Sequence, residues 1–275
     1  MKFSDQEFGK NYLNPKKGHK QLWVGMDTLK RFEKNKTKHP DNFSIKHYTE
    51  HPIVYSVNND FYRTPDDFNS NELGNMYLGC SHTFGSGLYL EDIWAYKLNS
   101  IIGGKFWNLG IGGTGFITAY RVFMHYIEKL QVSNVFMYVQ YPFRYEGFMD
   151  NRWQRLAGFS FGEGLLDLFS PLAKFLLNHR TAFLISTMVL KSISYECDKR
   201  GINFYFYNKA PGGKITIEEM SENKQRCGRD LIHMPTLYHD KLCDTFYEMY
   251  KSKKVFKTQE KDLDIFDGTP KKQYI

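Results

Sequence analysis

Apolar residues fall into short runs and helical stripes that alternate along this chain. Met76, Tyr77 and Leu78 make a short strand that breaks at Gly79. A loop with Ser81, Gly85 and Gly87 follows. From about Glu91 the residues Leu90, Ile93, Trp94, Tyr96, Leu98, Ile101 and Ile102 recur mostly on one side at helical spacing. Gly103-Gly104 ends that helix, as glycine does at a carboxyl cap. Residues 105–109 read as a second strand, closing in Gly110-Ile111-Gly112-Gly113-Thr114-Gly115. Residues 116–130 carry a helical stripe of Phe116, Ala119, Val122, Phe123, Tyr126 and Leu130. A third strand spans 132–140, and its continuous apolar run, 135–139, suits a parallel strand covered on both faces.

Beyond it, 141–171 reads as a long irregular segment, typical in length of a functional loop or insertion. Residues 172–199 predict the longest helix, 201–207 a fourth strand, and 209–225 a loop opening with Pro211-Gly212-Gly213. A closing helix runs from Thr236 to about Lys251. Upstream, residues 1–50 are polar and lysine-rich, with a strand and helical turn, or a short helix, around 22–32. Residues 53–57 alternate as a strand does, Asn58-Asn59-Asp60 is turn chemistry, and 64–75 is a polar connection.

Strands alternating with helices predict an α/β protein with a mostly parallel central sheet. Right-handed crossovers place helices on both faces, a three-layer α/β/α sandwich. The organisation expected is an amino-terminal extension (1–50) packed on or beside one α/β domain (51–252), then a charged tail (253–275). The carboxyl ends of the four strands then gather Ser81, the Gly112-Gly113 turn, Gln140 and the approach to Asp230 and His233 along one rim. In open α/β sheets that rim is where ligands bind.

Composition narrows this picture a little. The chain is 41% hydrophobic and 17% aromatic, enough for a sizeable core. The net charge of +7 permits contact with nucleic acid or anionic surfaces, but no recognised nucleic-acid-binding motif accompanies it. The reading is a solvated basic surface, and no nucleic-acid partner is expected. Cys80, Cys197, Cys227 and Cys243 lack Cys-x-x-Cys spacing, which points to reduced thiols rather than a metal site or disulfide framework. The amino terminus lacks a signal-peptide core, and no window approaches the ~20 apolar residues of a membrane span. A cytoplasmic setting is expected, or a virion if the source is viral. The pattern sets no oligomeric state.

The candidate chemistry lies in three places. Ser81, just past a strand that stops at glycine, is placed like a nucleophile at a strand-to-helix elbow; a plain βα loop is the alternative. A serine hydroxyl needs a base and a carboxylate that orients the base. Asp230 and His233, three positions apart just before a helix, can make that pair on one turn. Equally, Asp230 can cap a helix and His233 can pack at its start. Backbone N–H groups of Ser81 and Gly113 can serve a developing oxyanion. His82 reads as structural rather than as a second base, and His239 as an exposed helix residue.

Together these motifs resemble the SGNH (GDSL-type) hydrolases. Gly79-Cys80-Ser81-His82-Thr83-Phe84-Gly85 is similar to their nucleophile motif, with Cys80 where that family usually has Asp. Asn108-Leu109-Gly110-Ile111-Gly112-Gly113-Thr114 resembles the second motif, whose glycine supplies an oxyanion N–H, a role that falls on Gly113. Asp230-Leu231-Ile232-His233 matches the closing Asp-x-x-His. The segment from Val57 to Arg63 is similar to a lead-in found in some members, many of them from bacteriophages. The resemblance covers about residues 53–251 and implies a flavodoxin-like fold and a Ser81–His233–Asp230 triad that needs no metal or cofactor. It also implies a small acyl ester or acylated carbohydrate as substrate.

One departure stands out. The third family motif, Gly-x-Asn-Asp, is absent, and Gln140-Tyr141-Pro142-Phe143-Arg144 follows the third strand instead. The Gln140 amide can replace the missing donor, and Arg144 and His82 are candidate substrate contacts. Losing one oxyanion donor costs ~10²–10³ in rate. A catalytically reduced protein of the same fold, structural or carbohydrate-binding, for example a component of a viral particle, is the alternative.

Overall fold

The computed structural model describes residues 19–65, 67–68, 71–139, 144–149, 152–157, 178–209 and 226–256. In chain order the elements are β1 (Lys20–Gln21), α1 (Leu29–Lys38), α2 (Phe43–Glu50), β2 (Tyr55–Ser56), β3 (Gly74–Gly79), α3 (Ser81–Phe84), a 3₁₀ turn (Leu90–Asp92) and α4 (Trp94–Ile102). They continue with β4 (Lys105–Asn108), α5 (Phe116–Tyr126), β5 (Val132–Tyr138), β6 (Arg144–Met149), β7 (Arg152–Ala157), α6 (His179–Lys199), β8 (Asn203–Tyr207) and α7 (Thr236–Lys251).

Four strands form the central sheet in the order β4-β3-β5-β8, every pair parallel. Strand side chains alternate between two buried layers, as the pleat requires. Met76, Leu78, Val135, Met137, Phe204 and Phe206 meet α5 and α6 through Val122, Phe123, Leu190 and Ile193. Tyr77, Phe136, Tyr138 and Tyr205 point the other way, onto Trp94 and Leu98 of α4 and Leu242 and Phe246 of α7. The result is the expected three-layer α/β/α sandwich. The chain leaves β3 toward one side, to β4, and then crosses back to β5 on the other. That reversal makes the carboxyl end of β3 a topological switch point, where a crevice opens between diverging connections.

Residues 19–58 add a third apolar cluster over this end of the sheet. Phe32, Ile45, Tyr48, Ile53 and Tyr55 pack with Phe84, the last residue of α3. β1 pairs antiparallel with β2. Thr28 caps α1 by accepting from the Arg31 N–H, and Asn42 caps α2 by accepting from the Ile45 N–H. The expected alternation holds at 53–57, where Ile53, Tyr55 and Val57 are buried and Val54 and Ser56 are exposed.

Several elements differ from expectation. Residues 144–149 and 152–157 pair as an antiparallel hairpin instead of running irregularly. The reason is a polar residue facing inward: the Glu146 carboxylate is covered and accepts from Arg121 Nε at 2.5 Å and from Thr118 Oγ1 at 2.8 Å on α5. A charge at an inward position hides the strand alternation. The helix expected from Glu91 starts at Trp94 after the 3₁₀ turn, and α5 stops at Tyr126 rather than Leu130. All four cysteines are free and buried. No helix among the described residues is long and apolar enough to cross a membrane. The expectations for 1–18, for 140–143, for 150–151, for 158–177 (including the first part of the helix expected over 172–199), for most of the 209–225 loop and for the tail beyond 256 lie outside the described residues.

Candidate active site

Ser81 opens α3 directly beyond β3, and every residue from Ser81 to Leu88 is buried. The tight exit rests on glycine. Gly79 has φ +151°, and a Cβ there would collide with Thr83 and the Tyr138 carbonyl. The helix is a single turn, closed by Gly85 at φ +81° and by Gly85 and Ser86 N–H groups donating to the Ser81 carbonyl at 2.8 and 3.0 Å.

The turn after β4 packs against this helix. Asn108, fully buried, donates through Nδ2 to the Thr83 carbonyl and accepts from the Gly110 N–H, each at 3.0 Å. A Cβ on Gly110 would stand 2.5 Å from the Phe84 nitrogen, so this close approach admits only glycine. Gly113 lies further along the same turn at φ +75°, partly exposed. Arg144 sits at the start of β6, and a Cβ on Gly115 would run into its backbone. Gln140 lies outside the described residues.

Asp230 and His233 share one turn ahead of α7. Asp230 Oδ2 accepts from His233 Nδ1 at 2.6 Å, while Oδ1 accepts from the backbone N–H groups of Ile232 and His233 at 3.1 Å each. The turn is shaped by Leu231, a non-glycine residue at φ +57°, whose N–H donates to the Gly228 carbonyl at 2.8 Å. Burial pushes the Asp230 carboxyl up, but the hydrogen bond and charge of His233, with the two backbone donors, outweigh it and hold it below the usual carboxylate range. An ionised carboxylate on Nδ1 leaves Nε2 as the basic nitrogen of the imidazole.

The structure brings the two segments together at three points. The Arg229 N–H donates to the Gly87 carbonyl at 2.8 Å. A Cβ on Gly87 would meet Arg229 and Gly228 backbone atoms at 2.8–3.1 Å. The ring of His82, next to Ser81, lies edge-on to the His233 ring with centroids 5.5 Å apart, and edge-on to Tyr138 at 6.2 Å. The Ser81 hydroxyl and the His233 ring are not hydrogen-bonded to each other; the His233 ring bonds Asp230 through Nδ1.

His239 corrects the expectation of an exposed helix residue. It is 1% exposed, and its Nδ1 accepts from the Trp94 N–H at 3.1 Å at the start of α4. Burial, then the nearby charges of Lys97, His233 and Arg63, push its pKa down to about 3, so it is neutral in the folded chain. Sequence reasoning also passed over Asp27, Tyr55 and Arg229, which adjoin the site. The local signal of Asp27 and Arg229 is only a charge beside apolar neighbours, and that of Tyr55 only its inward place in the 53–57 alternation.

The fold and the site together define an α/β protein with a buried serine, and a carboxylate–imidazole pair beside it, at the switch point of a parallel sheet. The chain matches no protein-family model and no curated protein. Among solved structures it is similar to a protein from Desulfitobacterium hafniense DCB-2 named as a lipolytic protein of the G-D-S-L family. The two share 11% sequence identity over 66% of this chain and 74% of that one, with a TM-score of 0.34.

Proposed function

We propose that this protein is a serine hydrolase of the SGNH type that cleaves an ester. The observation that carries the reading is the Asp230–His233 pair at 2.6 Å, set against the segment that leaves β3 with Ser81. In this reading Ser81 Oγ attacks the ester carbonyl while His233 Nε2 takes the hydroxyl proton. The N–H groups of Ser81 and Gly113 hold the oxyanion, with Gln140 as the third donor. Collapse expels the alcohol, which carries away the proton from His233. Water then attacks the acyl-serine by the same route, releasing the carboxylic acid and restoring Ser81. Asp230 stays ionised throughout and fixes the tautomer.

The sequence reading assigns no cofactor, and these steps use none. The substrate class we favour is a short acyl ester, such as an O-acetyl group on a carbohydrate, and this rests on the motif resemblance alone. Arg144 and His82 are the proposed substrate contacts. We place the chemistry in residues 51–252, with 1–50 as an extension and 253–275 as a tail.

A fluorophosphonate probe tests the proposal. Wild type should label and Ser81→Ala should not, and a panel of short acyl esters and acetylated glycans should be turned over by the former alone. An unlabelled wild type favours the second reading, a catalytically reduced protein of the same fold that is structural or carbohydrate-binding, for example a component of a viral particle. The observation behind that reading is Gln140-Tyr141 in the place of the family's Gly-x-Asn-Asp motif.

A further inference from the structure

A closed ring of buried contacts joins the two segments of the candidate site through residues far upstream. The Gly87 N–H donates to Tyr55 Oη at 2.7 Å. Tyr55 Oη donates to Asp27 Oδ2 at 2.5 Å. The Asp27 carboxylate accepts from Arg229 Nε at 3.1 and 3.2 Å and from Arg229 Nη2 at 2.7 Å. The Arg229 N–H then returns to the Gly87 carbonyl at 2.8 Å. Tyr55 and Asp27 are 0% exposed and Arg229 is 1% exposed.

Each member is held by the cost of its alternatives. A guanidinium buried without its carboxylate would be an uncompensated charge in the interior, so Arg229 stays seated on Asp27. A buried phenol needs partners for its hydroxyl, and Tyr55 uses it once as acceptor and once as donor. The surroundings reinforce the seat. Arg229 also donates to the Leu22 carbonyl and lies 3.9 Å over the Trp23 ring. On the other side of Tyr55, Arg63 stands 4.7 Å over its ring and donates to the carbonyls of Phe84, Gly85 and Leu88, the backbone that follows Ser81. Asn35 of α1 donates to the Asp230 carbonyl at 3.0 Å, and Tyr48 of α2 donates to the Cys227 carbonyl at 3.1 Å.

We infer that Tyr55 and Asp27 are positioning residues that hold the Ser81–Gly87 segment and the Asp230–His233 turn in one register, which makes the amino-terminal segment part of the candidate site. The functional meaning of this link rests on the hydrolase reading. Arg229 is covalently next to Asp230, and its backbone N–H is fixed on the Gly87 carbonyl, so a shift of the Arg229 backbone moves the Asp230 turn relative to the Ser81–Gly87 segment. A misplacement of about 1 Å in a catalytic group can cost ~10²-fold in rate.

Native-state hydrogen exchange on the full chain tests the link. In wild type the amides of Gly87, Arg229, Ile232 and His233 should open as one unit, with one shared dependence on denaturant. Independent opening of Gly87 and the 229–233 amides overturns the inference. In Tyr55→Phe, which keeps the ring and loses the hydroxyl, exchange at Arg229, Ile232 and His233 should quicken about tenfold. Fluorophosphonate labelling of Ser81 should slow about ten- to hundredfold, and ester turnover should lose kcat with KM little changed. Exchange unchanged within about twofold at those amides, in a folded variant, overturns the inference whatever the labelling does. Asp27→Asn is the second variant, and the wild-type exchange pattern decides the matter where neither variant folds. A wild type that resists the probe while exchange responds sinks the hydrolase reading and leaves the link standing.

Discussion

Asp230 Oδ2 lies 2.6 Å from His233 Nδ1, and the other carboxylate oxygen takes two backbone N–H groups from the same turn. The carboxylate is thus satisfied entirely within four residues, yet its side chain is wholly covered. In the proposed chemistry, Asp230→Asn keeps the shape of the turn but can present a donor to Nδ1, which turns the imidazole into the wrong tautomer. We expect ester turnover and Ser81 labelling to fall about 10³–10⁴-fold, with the circular dichroism spectrum unchanged. An Asn variant within tenfold of wild type would remove Asp230 from the mechanism.

Gly79 is the point where strand becomes helix. Its φ of +151° disfavours any side chain, and an added Cβ meets Thr83 and the Tyr138 carbonyl. Gly79→Ala should lower stability by about 3 kcal/mol or more, through backbone strain and overpacking together. Urea unfolding followed by tryptophan fluorescence measures this directly. A loss under about 1 kcal/mol would show that the β3 exit tolerates a side chain.

His239 should make the fold sensitive to mild acid. Its pKa is pushed down to about 3 in the folded chain, against about 6.5 when unfolded. Between those values the unfolded chain binds the extra proton, so stability is fully present above about pH 6.5 and falls as pH drops toward 3. The slope from this group approaches about 1.4 kcal/mol per pH unit within that window. His239→Gln keeps an acceptor for the Trp94 N–H and removes the titration. Melting temperature plotted from pH 7 to pH 4 should fall more steeply for wild type than for the variant. Parallel curves would mean that His239 does not titrate in this window.

The hairpin of β6 and β7 depends on the Glu146–Arg121 pair, whose side chains are 3% and 11% exposed. Glu146→Ala removes the acceptor of Arg121 and Thr118 and should lower stability by about 1–3 kcal/mol, felt first where the hairpin meets α5. Amide exchange of Arg144, Tyr145 and Glu146 should rise in the variant while the central sheet keeps its protection. Uniform loss across the sheet would mean that the pair supports the whole fold rather than the hairpin.

Much of this protein is decided by its sequence alone. Period-two and period-3.6 hydrophobicity are local properties, so the strands read at 76–78, 105–109, 132–140 and 201–207 and the helix from Thr236 to about Lys251 were legible without coordinates to within one or two residues at each end. So was the Asp230–His233 pair, because its partners lie three positions apart. What the tertiary structure decided is where charges and polar rings lie. Asp27 meets Arg229 across 202 positions, and His239 turns inward toward the start of α4. Glu146 faces α5, against the rule that charge stays out. Each of these is a polar group whose burial is stable only with one particular distant partner. A pattern of apolar and polar positions registers the charge but cannot name the partner, because that choice is made by packing across the whole chain.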